Sequence, residues 1–355
     1  MFLIHNKSIT TFSIATLLAL TLFVSLIGCD GGGGGSGPSG GVTSDGYVIG
    51  FSNFGVGNSW RVQMEAEFKA GADKLKSNGI IKEYYMRNSG GDIAKQIGDM
   101  RELIAKKCNA IIITASSPVD LSPVCEEAMA AGIVIISFDN YIATNKITAK
   151  VGIDEVEFGK YGAQWLVDKL GGKGSIIILN GIEGVAVDTM RSEGARSVFE
   201  KYPDIIILDE IHAGWDYAQA KTAMEGFLSK YPHIDGVWSQ GGAMTQAALD
   251  AFIAANRPLV PMSGEANNGL LKAWKKNINN GFDSIAPCSP TSMSVDALNT
   301  AIKALDGINI RLNTVISLPV ITRDTLDDYV EMDLPDDFWN YTTLTSKQID
   351  ALYKK

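Results

Sequence analysis

Ile111-Ile112-Ile113 and Val134-Ile135-Ile136 decide how this chain folds. Both are unbroken β-branched runs with no polar residue alternating between them, so neither strand turns a face to water. Strands covered on both sides belong to parallel sheets. Working outward, Tyr47–Phe51 and Ile81–Met86 read as two more strands, with Ala110–Ile113 and Val134–Phe138 completing the set. Amphipathic stretches begin near Ser59, Asp92 and Leu121, so the pattern is βαβ, the signature of a doubly wound α/β sheet.

The pattern then recurs. Strands are expected at Gly174–Leu179, Ile205–Ile211, Gly236–Ser239 and Leu259–Met262, and helices near Glu155–Leu170, Asp188–Lys201, Asp216–Lys230, Met244–Ala255 and Asn267–Lys276. Two Rossmann-like domains of about 110 to 140 residues account for this. In the tail, Phe282–Ala286 reads as a strand, Thr291–Leu305 as a helix and Asn313–Val320 as another strand. These elements add to both sheets, so the chain must cross between domains near Val151, Ser284 and Leu318. Three crossings make a hinge suited to closure around a ligand. The expected lobes are 46–151 plus 285–317 and 152–284 plus 318–355.

The first 45 residues read differently. Ile9–Gly28 is apolar and follows Lys7, and it is long enough to span a bilayer. It ends in Leu26-Ile27-Gly28-Cys29, the form of a bacterial lipobox. There a small residue exposes the bond to signal peptidase, and the cysteine thiol takes diacylglycerol. An ordinary signal peptide or a single transmembrane anchor is the alternative. Gly31–Gly35 and Ser36-Gly37-Pro38-Ser39-Gly40-Gly41 follow, a flexible coil reaching about 20 Å. The expectation is a signal peptide over 1–28, then a tether over 29–45 held to the membrane only by lipid on Cys29. Cys108, Cys125 and Cys288 remain, an odd number unsuited to a disulfide framework. Cys108 and Cys125 read as small buried hydrophobes.

Several functions find no support in the chain. A net charge of −9 argues against a nucleic-acid partner. Gly55-Val56-Gly57-Asn58-Ser59-Trp60 carries two glycines of a dinucleotide fingerprint but puts Trp60 where the third must allow close packing. There is no phosphate-binding Gly-rich loop with its lysine, and no Gly-x-Ser-x-Gly elbow. His212 and His233 lack partners at metal-ligand spacing. No cofactor, metal or catalytic residue is expected.

Ligands of open parallel sheets sit beyond the carboxyl ends of the strands. Those positions hold Trp60 and Arg61, Ser116-Ser117, and Asp139-Asn140 in the first unit. In the second they hold Asp188, Arg191, Trp215-Asp216, Gln240 and Glu265. Asp92 and Asp216 also read as helix N-caps, and Trp215 as either core or pocket wall. Aromatic rings interleaved with Arg, Asp and Glu suit a sugar, whose C–H faces stack and whose hydroxyls donate and accept.

On these residues the chain resembles the type I sugar-binding proteins of bacterial ABC transporters. Ile49-Gly50-Phe51-Ser52 with Gly57-Asn58-Ser59-Trp60-Arg61 is similar to the start of that family. Ser137-Phe138-Asp139-Asn140 resembles its fourth-strand motif, and Val151-Gly152-Ile153-Asp154-Glu155 its first crossover. Arg191-Ser192-Glu193-Gly194 resembles the helix whose arginine clamps the sugar. The likeness spans 47 to about 320. It implies the type I periplasmic-binding-protein fold and a ligand held by Asn58, Trp60, Arg61, Ser116, Asp139, Asn140, Arg191, Trp215, Gln240 and Glu265. It further implies a monomer on the outer face of the cytoplasmic membrane that delivers a sugar to an ABC permease. Asn140, Gly241-Gly242 and Gly264 replace side chains usual in ribose-type members, so an enlarged or re-aimed wall is expected, with room for a hexose or short oligosaccharide. A sensor module feeding a chemoreceptor or kinase is the alternative.

Overall fold

The computed structural model describes residues 45–354. The expected signal peptide, Cys29 and all but the end of the tether lie outside them. The first lobe runs β1 (Tyr47–Asn53), α1 (Ser59–Ser77), β2 (Ile81–Asn88), α2 (Ile93–Ala105), β3 (Ala110–Thr114), α3 (Ser122–Ala130), β4 (Val134–Phe138) and β5 (Ala149–Gly152). The second runs α4 (Glu155–Lys169), β6 (Gly174–Asn180), α5 (Ala186–Phe199), β7 (Ile205–His212), α6 (Tyr217–Lys230), β8 (Gly236–Ser239), α7 (Gly242–Ala254), β9 (Met262–Ser263), α8 (Asn268–Asn277) and β10 (Ser284–Pro287). The chain returns to the first lobe for α9 (Met293–Leu305) and β11 (Asn313–Val315). It then adds β12 (Val320–Ile321), α10 (Leu326–Tyr329) and α11 (Ser346–Tyr353).

Each lobe is a six-stranded sheet, in the orders β11-β5-β4-β3-β1-β2 and β12-β10-β9-β8-β6-β7. All neighbours pair in parallel except β12, which runs antiparallel to β10. The β-branched runs behave as their composition requires. Ile112 and Ile136 face one core with Met64 of α1 and Leu298 of α9, while Ile111, Ile113 and Ile135 face another with Leu103 of α2 and Val124 of α3. Successive strand residues point to opposite faces, so a strand with helices on both sides buries every side chain, and its few polar ones, such as Ser137 of β4 and Thr114 of β3, are buried too. Each fully buried isoleucine contributes about 1.5–3 kcal/mol. The second lobe repeats the arrangement, with Ile176 and Ile178 toward α4 and α5, and Ile177 and Leu179 toward α6 and α7.

Three sequence expectations are corrected here. Residues 285–287, expected in the first lobe, belong to β10 of the second sheet, so the chain crosses after Pro287 rather than near Ser284. Asn313–Val320 is not one strand, because it divides into β11 in the first sheet and β12 in the second. The residues between, Ile316-Ser317-Leu318-Pro319, carry the chain across. The final stretch was expected wholly with the second lobe, but it is shared. Residues 331–338 bond to α8, whereas Trp339, Thr342, Thr343 and Tyr353 bond to α1 of the first lobe. Three crossings join the sheets at 153–154, 288–292 and 316–319, and they hold one another. Ile316 N–H donates to Gly152 O at 2.9 Å, and Cys288 N–H to Pro319 O at 2.8 Å.

Candidate ligand-binding cleft

The carboxyl ends of the two sheets face each other across a cavity of about 170 Å³, lined from both lobes. On the first lobe, Asn58 caps α1 by accepting the Arg61 N–H at 3.0 Å, which fixes the helix start and sets Trp60 and Arg61 on its first turn. Arg61 Nη2 meets Asp139 Oδ2 at 2.6 Å, and Thr114 Oγ1 and Asn140 Nδ2 donate to that same oxygen at 3.0 and 3.1 Å. With all three donors on Oδ2, Oδ1 remains for a ligand. The guanidinium carbon lies over the Phe54 ring, 3.8 Å from its centroid. Trp60 is pinned by its Nε1–H donating to Ser289 O in the second crossing, at 2.8 Å.

On the second lobe Arg191 is held on every side. Its Nε donates to Glu155 Oε2 at 2.7 Å, Nη1 to Gln240 O at 2.9 Å and Nη2 to Glu265 Oε1 at 3.1 Å, and it lies over Phe158 at 3.7 Å. The glycine of the Arg191-Ser192-Glu193-Gly194 motif explains how Arg191 reaches Glu155. A Cβ on Gly194 would stand 2.0 Å from Val156 O, and one on Gly159 would stand 2.0 Å from Arg191 O. Only glycines let α4 and α5 cross this closely. Burial pushes the Glu155 carboxyl up to about 7 despite the attraction of Arg191, with Asp139 and Glu265 adding to the rise. Burial likewise raises Glu265 against the pull of Arg191, and Asp139 again contributes. Asp139 and Glu265 both line the cavity, one from each lobe, whereas Glu155 stands behind Arg191. Burial would lower the Arg191 guanidinium, but Glu155 and Glu265 outweigh it and raise it.

Asp139 and Trp215 both adopt left-handed backbone, at φ +57° and +56°. Each stands just past a strand, one per lobe, and the unusual backbone aims the side chain at the cavity. Trp215 occupies space that two glycines vacate. A Cβ on Gly181 would come within 2.2 Å of its ring, and one on Gly241 within 2.7 Å. Of the enlarged or re-aimed wall expected from these glycines, enlargement is ruled out, because the vacated space is filled. Trp215 fills the space beside Gly241, Glu265 O and Asn267 that beside Gly242, and Leu270 and Thr245 that beside Gly264.

Eight of the ten residues read from the sequence line the cavity: Asn58, Trp60, Arg61, Asp139, Asn140, Arg191, Trp215 and Glu265. Ser116 and Gln240 do not. The Ser116 N–H donates to Gln96 Oε1, and the Gln240 amide turns back to Asn180, Asp188 O and Ser192. Gln240 acts instead through its carbonyl, which holds Arg191. The sequence reading missed Phe54, Ser289 and Trp339 on the wall, and Glu155 behind Arg191. Phe54 had a signal, being an aromatic directly after β1. Two buried polar atoms on the wall have no partner among the described residues, Asn140 Oδ1 from the first lobe and Trp215 Nε1 from the second. One is an acceptor and the other a donor, and an alcohol group satisfies either. Among the described residues no His/Cys/Asp/Glu cluster could hold a metal, and no helix is long and apolar enough to cross a membrane. Cys108, Cys125 and Cys288 are free and buried.

Two α/β lobes with a polar, aromatic-walled cleft at a three-stranded hinge define a solute-binding protein of the type I periplasmic class. Residues 49–309 match the periplasmic binding protein domain family, and the chain belongs to it. It is 30% identical over 267 residues to a xylitol-binding protein of Mycolicibacterium smegmatis, covering 75% of each chain. It is 24% identical to a ribose import binding protein of Bacillus subtilis, over 64% of this chain and 73% of the relative. Among solved structures it is similar to an ABC transporter solute-binding protein from Thermobispora bispora, with TM-score 0.75, 26% identity, and 86% and 94% of the two chains covered. It also resembles the fructose-binding periplasmic domain of a hybrid two-component system, with TM-score 0.70, 27% identity, and 79% and 92% covered.

Proposed function

We propose that this protein captures one monosaccharide or sugar alcohol between its lobes and hands it to an ABC permease. The observation that carries this reading is the pair of unpartnered atoms, Asn140 Oδ1 and Trp215 Nε1, set among Arg61–Asp139 on one side and Arg191–Glu265 on the other. A polyol hydroxyl donates to the first and accepts from the second, and further hydroxyls reach the charged groups in charge-assisted bonds. Relatives that bind xylitol and ribose support the ligand class. A cavity of about 170 Å³ favours a single compact molecule over an oligosaccharide, lying below the roughly 300 Å³ where drug-sized pockets begin. Because the ligand would touch both lobes only when they close, its binding energy favours the closed form.

The test is a thermal-shift screen against pentoses, hexoses, their alcohols and disaccharides. A ligand present at about 100 times its Kd adds about 2.7 kcal/mol, a shift of several degrees. A response to monosaccharides or alcohols is expected. A response to disaccharides alone, or to none, overturns the reading. The fructose-binding neighbour from a two-component system supports a second reading, a sensor. Uptake of the labelled ligand separates them, since loss of uptake in cells lacking the protein marks an importer.

The lipobox Leu26-Ile27-Gly28-Cys29 and the Gly/Ser tract support a lipid-anchored protein working outside the cytoplasmic membrane. Labelled fatty acid should enter the parent and not Cys29→Ala. Equal labelling removes the anchor from the proposal.

A further inference from the structure

Past β12 the chain runs on beyond the family match, which ends at residue 309. Asn268, the fully buried first residue of α8, commits its whole amide to this tail. Its Nδ2 donates to the carbonyls of Glu331, Leu334 and Pro335 at 2.7, 3.1 and 3.0 Å, and its Oδ1 accepts the Glu331 N–H at 2.9 Å. The N–H groups of Asn268 and Gly269 donate to Phe338 O and Asp336 O at 2.9 and 3.0 Å. One residue later the partners change lobes. Trp339 N–H donates to Gln63 Oε1 at 3.0 Å, and its carbonyl accepts Gln63 Nε2 at 2.9 Å. Thr342 Oγ1, Thr343 N–H and Thr343 Oγ1 donate to the buried Glu67 carboxylate at 2.8, 2.9 and 2.6 Å. Glu67 also takes Thr291 Oγ1, from the second crossing.

Gln63 and Glu67 stand one turn apart on α1, the helix whose first turn carries Trp60 and Arg61 into the cavity. A carboxylate buried without a cation is costly unless donors surround it, and here the donors come from the tail and the hinge. Between Phe338 and Trp339 there is no slack, so the lobes cannot part at that point without breaking one set of bonds. Trp339 itself lines the cavity, with Nε1 donating to Ser59 Oγ at 3.1 Å.

We propose that residues 331–343 form a strap that ties the lobes at a fourth crossing and positions Trp339 as a specificity-determining wall of the ligand cavity. The proposal rests on the polyol reading of that cavity. Asn268, Gln63 and Glu67 are positioning residues, acting on the ligand only through the strap.

The test compares the parent with Trp339→Ala, Trp339→Phe, Asn268→Asp and Glu67→Gln. Calorimetry is run against D-ribose, xylitol, D-allose, D-fructose and myo-inositol, with small-angle scattering of each ligand-free protein. Trp339→Ala should weaken the best parental ligand about tenfold or more and change the order of the panel. Trp339→Phe should return to within about threefold, because the ring is kept. Asn268→Asp sets a carboxylate against three carbonyls while substituting no cavity residue. It should weaken all ligands and enlarge the ligand-free radius of gyration, and Glu67→Gln should do the same. Parental affinities, panel order and radius in both Trp339→Ala and Asn268→Asp overturn the strap. If the parent binds nothing in the panel, the ligand reading fails and scattering alone decides, an unchanged radius in Asn268→Asp overturning the proposal.

Discussion

The two lobes share one design and use it differently. Each sets a guanidinium over a phenylalanine ring beside the cavity, Arg61 over Phe54 and Arg191 over Phe158. Arg61 has one carboxylate partner, with Asn53 Oδ1 only at 3.4 Å, so most of its five N–H donors remain for a ligand. Arg191 is fixed by two carboxylates and a carbonyl, at 3% side-chain exposure. The second lobe is thus preset before a ligand arrives, while the first keeps bonding capacity in reserve. Preorganisation costs stability if broken, whereas reserve capacity costs affinity, and the two arginines should separate along that line.

The largest expected effect follows directly. Arg191→Ala strands Glu155 and Glu265 in the interior and should cost about 3–5 kcal/mol of unfolding free energy in denaturant titrations. Arg61→Ala leaves Asp139 with Thr114 and Asn140 as donors and should cost about 1–3 kcal/mol, while also abolishing tight binding. Equal losses of stability would erase the distinction between the lobes.

A smaller effect appears with pH. Glu155 titrates at about 7 in the folded protein, well above its ordinary value of 4.5. Between those values the folded state holds more protons than the unfolded one, so this group's contribution is complete below pH 4.5 and is lost as pH rises through 7. Glu265, also raised, acts with the same sign. Ligand-free protein should lose about 1–2 kcal/mol more than Glu155→Gln between pH 5 and pH 8. Parallel pH profiles would mean that Glu155 is ionised throughout and that the second lobe is less tightly closed.

The smallest effect probes the unpartnered donor. Trp215→Phe keeps an aromatic ring beside Gly181 and Gly241 but removes Nε1–H together with the pyrrole part of the indole. Affinity for the identified ligand should fall by about 0.5–1.5 kcal/mol with folding unchanged. An unaltered Kd would show that Trp215 Nε1–H makes no bond to the ligand.

The sheets were legible because burial on both faces leaves a mark in sequence: Ile111-Ile112-Ile113 can be little else. Caps were legible for a similar local reason, and Asp92 and Asp216 do accept the N–H of Lys95 and Gln219. The strand-end rule located the cleft but not the direction of each side chain, which is why Ser116 and Gln240 fall off the wall. It also treats a glycine as empty space, although at Gly241 the missing side chain is replaced by Trp215 from a distant loop. Trp339 was out of reach, since its place beside Ser59 depends on a tail path fixed by Asn268 and Gln63. No local pattern encodes contacts of that separation.

The left-handed backbone at Asp139 and Trp215 also limits redesign of the cleft. A sensor engineer who wishes to change the ligand will turn first to these two walls. Left-handed geometry suits Asp, Asn and Gly but penalises β-branched residues, so Val, Ile and Thr should fail there for reasons unrelated to the ligand. Glycine at 215 would relieve the backbone but lose the ring that the flanking glycines accommodate. New specificities are therefore more accessible at Val187 of α5, which also lines the cavity and whose backbone lies outside the left-handed region.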